Sequence, residues 1–265
     1  MDQKEQNLRT IIRSLKKVII GYSGGVDSAL VAKVATEELG VNALVVISDS
    51  PSLPRSELEE ALSLASKSKF NIRIIHTKEA EKEEYLANPK NRCFYCKSEL
   101  YGDLEKIRLT ENYEAILDGA NLDDTADYRP GRVAAKENNI RSVLVEAGLN
   151  KKDVRNLAEK LNLPNFDKPA AACLSSRFPY GTSITKEKLS QVELAEEYLK
   201  QLGIKSVRVR YHQDVARIEI EKDSFEIVLE NANKIYVHFK SLGFSYTALD
   251  IIGFRSGSMN ENLKL

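Results

Sequence analysis

Five short apolar runs set the main constraint on the fold. KKVIIGY, NALVVISDS, NIRIIHT, YEAILDGA and SVLVEAG are nearly continuous in hydrophobic residues, and the stretches between them place apolar residues three and four positions apart. A strand covered on one face alternates, whereas a run without alternation suits a strand buried on both faces. Five such strands separated by helical patterns predict an α/β fold with a doubly wound, parallel five-stranded sheet, whose ligands bind at the carboxyl ends of the strands.

The rhythm changes after Leu163-Pro164. AAACLSSRFPYGTS is rich in small residues and turn formers, so the boundary is expected there, with domains at 1–168 and 169–265. From Thr185 an amphipathic helix carries Leu189, Val192, Leu199 and Leu202 on one side and stops at Gly203. KSVRVRY and VARIEIE alternate as half-exposed strands do, a second helix is expected over 224–242, and YTALDIIGF follows as a strand. The second domain is therefore a small α+β unit.

At 265 residues with 42% hydrophobic residues, the chain can bury an ordinary core. Lys+Arg and Asp+Glu balance at 39 each, which leaves no overall basic field for nucleic acid. No window reaches the roughly 18 apolar residues of a membrane span, and MDQKEQNLRT is too charged for a secretory signal. A cytoplasmic enzyme is expected, and its three cysteines would be thiols or metal ligands there.

In YSGGVDSALV a Gly-Gly pair joins the first strand to the first helix. Glycines let backbone N–H groups approach an oxyanion, Ser23 and Ser28 add hydroxyls, and the helix points its positive end at the same spot. A plain turn with Asp27 or Ser28 capping the helix is the competing reading. No Walker A lysine follows the glycines and G-x-G-x-x-G is absent, so both common nucleotide fingerprints are excluded. SGGVDS instead resembles the PP-loop, S-G-G-x-D-S, of the N-type ATP pyrophosphatases. That resemblance implies that Ser23, Gly24, Gly25, Asp27 and Ser28 contact the pyrophosphate of ATP and its Mg²⁺, and that ATP is cut between its α and β phosphates. Asp49-Ser50 and Asp118-Gly119, after the second and fourth strands, are expected to line the nucleotide crevice.

Cys93 and Cys96 form a C-x-x-C in NRCFYCKSELY, and Cys173 lies 77 positions after Cys96. The pair alone fits zinc, a redox dithiol or an iron–sulfur cluster. Zinc would want a fourth ligand, and neither His76 nor His212 stands beside a cysteine. Three thiolates suit a [4Fe–4S] cluster with one iron open to a ligand such as sulfide. Cys173 alone, in a run of alanines, would read as a small buried residue.

DGANLDDTADYRPG, KPAAACLSSRFPYGT and GFRSGSMN complete a set that, with the PP-loop, resembles the LarE family of ATP-dependent sulfur transferases over nearly the whole chain. The resemblance implies adenylation of a carboxylate of pyridinium-3,5-biscarboxylic acid mononucleotide and its conversion to a thiocarboxylate for a nickel-pincer cofactor. One subgroup sacrifices the sulfur of the cysteine matching Cys173 and lacks the C-x-x-C; this chain is similar to the subgroup whose three cysteines, here Cys93, Cys96 and Cys173, hold a [4Fe–4S] cluster that delivers sulfide. A sulfide donor and a homo-oligomeric assembly are expected.

A mononucleotide substrate needs cations for its phosphate. Arg208 and Arg210 alternate with Val207 and Val209, which puts both guanidiniums on one strand face. Two arginines on a solvated face is the competing reading; in relatives, arginines at this place bind the substrate phosphate. Arg177 is a candidate for orienting substrate or adenylate, Glu196 or Glu197 for ordering the arginines, and Arg255 and Ser258 for closing the site. Two rival functions remain on sequence alone: a PP-loop tRNA thiolase and a zinc-stabilised nucleotide-binding module.

Overall fold

The computed structural model describes residues 3–125, 130–169 and 171–255. The chain opens with α1 (Gln3–Ser14), β1 (Val18–Gly21), α2 (Val26–Leu39), β2 (Ala43–Ser48), α3 (Arg55–Lys67) and β3 (Asn71–Ile75). It continues through α4 (Glu83–Leu86), α5 (Arg92–Thr110), β4 (Ala115–Leu117), α6 (Pro130–Glu137), α7 (Val143–Glu146) and α8 (Lys151–Lys160). It closes with α9 (Lys186–Gln201), β5 (Val207–His212), β6 (Val215–Ile220), α10 (Phe225–Glu230), α11 (Ala232–Ser241) and β7 (Tyr246–Leu249). These elements form two compact units, Met1–Lys82 with Asn91–Ala171, and Glu83–Lys90 with Ala172–Leu265. The expectation of a single crossing at 168/169 did not include the excursion of residues 83–90.

The first unit is α/β, around a parallel sheet in the order β3-β2-β1-β4. Its central strands explain the continuous apolar runs. Val18, Ile20, Val45 and Leu117 join one core with α1, α2 and α8, while Ile19, Leu44, Val46 and Ile116 join another with Tyr101 and Leu104 of α5 and Ala134 of α6. Each such buried aliphatic side chain contributes about 1.5–3 kcal/mol relative to exposure. β3 is an edge strand, with Ile74 exposed.

Among the described residues the sheet has four strands, not five. SVLVEAG forms the short helix α7, and its neighbour Arg141 makes only an isolated bridge to Leu117. Val143, Leu144 and Ala147 are the buried residues of this stretch, a spacing of one and four that belongs to a helix and not to a strand.

The second unit holds a mixed sheet, with β5 antiparallel to β6 and β6 parallel to β7. Val207, Val209, Ala216, Ile218 and Ile220 are buried, as are Leu189, Val192 and Leu199 of α9. Phe178, Tyr211, Phe244 and Phe239 form a chain of ring contacts with centroids 5.0–6.0 Å apart. α9 ends just before Gly203, whose φ of +93° suits the glycine expected there. The single helix expected over 224–242 is broken at Asn231, which leaves α10 and α11.

Residues 83–90 belong to this unit through specific bonds. Tyr85, fully buried, hydrogen-bonds Ser175 through its hydroxyl, and the Asn88 amide donates to the carbonyls of Pro179 (2.8 Å) and Thr182 (3.1 Å). Gly181 N–H in turn donates to the Asn88 carbonyl at 2.9 Å. The clip thus fixes the loop that follows Cys173.

Candidate active site

The glycine loop lies between β1 and α2. Gly24 has φ +75°, and a Cβ there would meet the Cβ of Ala61 on α3 at 2.7 Å. Gly25 is the N-cap of α2 and no side chain caps the helix, so the capping role considered for Asp27 or Ser28 is not what holds this turn. The first-turn N–H groups are left for a ligand. Ser28 Oγ accepts from Ser23 N–H at 3.2 Å and lies 3.2 Å from Ser23 Oγ, which folds the two hydroxyls onto one side of the loop. Gly119, at the end of β4, explains its own identity: a Cβ would lie 2.7 Å from the Ser28 nitrogen.

Asp27 is gripped from two directions. Asn121 Nδ2 donates to its Oδ1 at 3.1 Å, and the Lys151 ammonium at the start of α8 pairs with its Oδ2. Asn150 and Asp153 form a capping box that fixes the first turn of α8, and hence the origin of the Lys151 side chain. At the end of β2, Asp49 pairs with Arg55, while the buried Ser50 hydroxyl donates to Glu79. The other carboxylate oxygen of Glu79 is buried without a hydrogen-bond partner among the described residues.

Cys93 and Cys96 occupy the first turns of α5, three residues apart and therefore on neighbouring positions of one face. No disulfide engages Cys93, Cys96 or Cys173. Around the pair lie Lys97, Tyr101 and Asp118. Burial alone would push the Lys97 ammonium down, but the anionic forms of Tyr101, Cys96, Asp118 and Cys93 hold it above the ordinary lysine range. Burial pushes the Asp118 carboxyl up, against hydrogen bonds from Ser142 and the Ala120 N–H. Two thiols at the positive end of a long helix, beside a cation, suit thiolate chemistry. Among the described residues no three His, Cys, Asp or Glu side chains are gathered to hold a metal ion.

In the second unit, Cys173 precedes a 3₁₀ turn (Leu174–Arg177). Arg177 is 3% exposed and makes a two-pronged pair with Glu196, Nε to Oε1 at 2.8 Å and Nη2 to Oε2 at 2.9 Å. Its remaining nitrogen donates to the carbonyls of Ala172 (2.7 Å) and Cys173 (3.1 Å). Glu196 also accepts the Val209 N–H at 2.9 Å. One buried ion pair therefore ties the cysteine loop to α9 and β5. The carboxylate that pairs is that of Glu196, not Glu197, and its partner is Arg177 rather than the strand arginines.

Arg208 and Arg210 share a face of β5 but differ in state. Arg210 is 3% exposed, binds Glu219 at 2.8 Å and donates to the Ser176 carbonyl at 2.7 Å. The solvated-face reading fails for it. Glu219 also holds Arg217 at 3.0 Å, and Arg217 reaches Asp250 at 2.6 Å. The Arg208 guanidinium makes no hydrogen bond or ion pair among the described residues and lies over the Phe254 ring at 5.3 Å. Burial, with repulsion from Arg177 and Arg210, pushes it down to about 10. Arg255 lies 3.8 Å from Asp250, and Ser258 falls outside the described residues.

A family model described as NAD synthase matches residues 3–93, the part that contains the glycine loop. Over the whole chain, a Lactiplantibacillus plantarum protein named pyridinium-3,5-bisthiocarboxylic acid mononucleotide synthase is 39% identical across 261 residues, 98% of this chain and 95% of its own. The chain belongs to this synthase's family, the LarE family. An uncharacterised Synechocystis protein is 44% identical across 265 residues, 99% of both chains. GMP synthase of Borreliella burgdorferi is 28% identical over 60% of this chain and 32% of its own. This LarE-family enzyme thus shares residues 3–93 with the NAD synthase family model and nearly its full length with a pyridinium-nucleotide synthase. Among its described residues, no helix is long and apolar enough to cross a membrane.

Sequence reasoning missed several polar residues of the LarE-family chain. None of Lys151, Asn121, Glu79, Lys97 and Glu219 was singled out, although Asn121, Lys97 and Glu219 lie inside quoted stretches; Lys151, Asn121 and Glu79 bond partners 29 to 124 positions away. Only one left a local trace: Glu219 alternates with Arg217 on the strand paired to β5.

Proposed function

We propose that this chain is an ATP-dependent sulfur transferase that adenylates a carboxylate of pyridinium-3,5-biscarboxylic acid mononucleotide and converts it to a thiocarboxylate. The observation that carries this reading is the likeness, over 98% of the chain, to a pyridinium-3,5-bisthiocarboxylic acid mononucleotide synthase. A substrate carboxylate oxygen attacks the α-phosphorus of ATP, the α–β bridging bond breaks, and pyrophosphate leaves. A sulfur nucleophile then adds to the acyl carbon, and AMP leaves with the carboxylate oxygen. Atoms balance with one sulfur gained and one oxygen lost per carboxylate.

The residues divide this work. Ser23, Gly24, Gly25 and Ser28 would hold the pyrophosphate through N–H and hydroxyl donors, and Lys151 supplies a cation beside them. Asp27 would hold Mg²⁺, an ion bound commonly by one or two carboxylates together with substrate phosphates. Asp49, Ser50 and Gly119 frame the nucleotide at the strand ends. Arg208, a half-buried cation without a carboxylate partner among the described residues, is the expected ligand of the substrate phosphate, with Arg210 and Arg177 fixed beside it by Glu219 and Glu196.

Cys93, Cys96 and Cys173 are the proposed ligands of a [4Fe–4S] cluster, supported by the ligand chemistry of three cysteines outside any disulfide, two of them one turn apart on α5. Bound there, a cluster with one open iron supplies a place for hydrosulfide. Iron and sulfide analysis of anaerobically purified protein tests the cluster: Cys93→Ala should lose iron and colour. If active protein lacks iron and the mass of Cys173 drops by one H₂S after turnover, the cysteine itself is the donor. Cytoplasmic location, an external sulfide donor and a homo-oligomeric state belong to the same proposal.

A further inference from the structure

Asn165 lies outside every motif that suggested function, yet its side chain touches the glycine loop. Its Nδ2 donates to the Gly24 carbonyl at 3.0 Å across 141 positions of sequence. Its own Oδ1 is buried with no hydrogen-bond partner among the described residues. A buried acceptor without a partner costs about 1–3 kcal/mol, so its presence calls for a reason beyond stability.

The geometry of one peptide unit supplies that reason. The Gly24 carbonyl and the Gly25 N–H belong to the same planar, trans peptide, so they point in opposite directions and cannot turn independently. Glycine at φ +75° gives this peptide unusual freedom to flip. The Gly25 N–H makes only a long contact with Ser23 Oγ, 3.5 Å, which an incoming oxyanion can replace. On the far side, Ala61 blocks the space next to Gly24, and Tyr22 anchors that turn of α3 by donating to the Ala61 carbonyl at 3.1 Å. Lys168, three residues after Asn165, holds its segment to the same helix by pairing with Glu57 at 2.7 Å and Glu60 at 2.6 Å. The loop itself is thus braced by Ala61 of α3 and by Asn165, whereas Lys168 touches α3 and not the loop.

We propose that Asn165 is a positioning residue for the pyrophosphate loop: by holding the Gly24 carbonyl it aims the Gly25 N–H at the pyrophosphate of ATP. This deepens the PP-loop reading and rests on it. The nearby competing explanation is that Asn165 merely fastens the 165–168 segment; Lys168 does that independently, which separates the two ideas.

The test is titration of the full-length protein with magnesium pyrophosphate, read by calorimetry and by the amide signal of Gly25 in glycine-selective ¹⁵N-labelled protein. Wild type should bind, with the Gly25 signal moving. Asn165→Leu, which removes both the donor and the partnerless oxygen, should bind about tenfold more weakly and lose the Gly25 shift while remaining folded. Asn165→Asp, whose carboxylate repels the Gly24 carbonyl, should do the same if the leucine variant does not fold. Lys168→Met should keep wild-type affinity. Equal affinity and an unchanged Gly25 shift in a folded Asn165 variant, or equal losses in Asn165→Leu and Lys168→Met, would overturn the positioning role alone. A wild type that binds no pyrophosphate would overturn the PP-loop reading with it.

Discussion

At the scale of residues, the two strand arginines illustrate how one pattern hides two jobs. Alternation with valine put Arg208 and Arg210 on one face correctly, but could not say that Glu219 neutralises one and leaves the other. Arg208 has a folded-state affinity for its proton below that of the unfolded chain, so its charge costs stability at every pH below about 10 and the cost fades as pH rises through that value. Arg208→Met is therefore expected to raise the melting temperature of the unliganded protein at neutral pH. The same change should weaken binding of the pyridinium mononucleotide by about tenfold or more, because a charge-assisted phosphate contact is lost. A scan with and without the mononucleotide checks both halves. Glu196→Gln should do the opposite to stability, costing about 3–5 kcal/mol by leaving the buried Arg177 charge uncompensated. Denaturant unfolding measures that loss.

At the scale of elements, the parallel strands were legible because burial on both faces leaves no alternation to misread. Ile19 and Ile20 face different cores and both are fully buried, which is why VII reads as a continuous run. SVLVEAG carried the same composition and misled, since four residues of helix can bury Val143 and Leu144 as well as a strand could. The glycine loop was legible through its glycines, whose need is steric: Gly24 against Ala61 and Gly119 against Ser28. Its polar supports were not, because Lys151 reaches Asp27 across 124 positions and no local periodicity records such a contact. Gly119→Ala should press on the Ser28 backbone and displace the loop, with a fall of about a hundredfold in ATP–pyrophosphate exchange. Lys151→Met should slow the same exchange by about a hundredfold while sparing the fold, as checked by circular dichroism.

At the scale of the whole molecule, the chain crosses between its units three times, at residues 82/83, 90/91 and 171/172. Near the last of these AAACLSSRFPYGTS interrupts helical and strand periodicity, whereas EEYLANPK, between the other two, is a short, polar stretch with little pattern. Two of the three crossings lie within three residues of Cys93 or Cys173. The equal count of 39 basic and 39 acidic residues argues against a tRNA substrate, and no tight binding of tRNA is expected at moderate salt.

The central claim is that ATP cleavage and sulfur transfer meet on one carboxylate. It is tested most directly by mass spectrometry of pyridinium-3,5-biscarboxylic acid mononucleotide after anaerobic incubation with the purified protein, ATP, Mg²⁺ and sulfide. The account predicts a product in which sulfur replaces one carboxylate oxygen, formed with AMP and pyrophosphate in equal amounts and absent without ATP. An unchanged mononucleotide in the presence of protein that consumes ATP would contradict it.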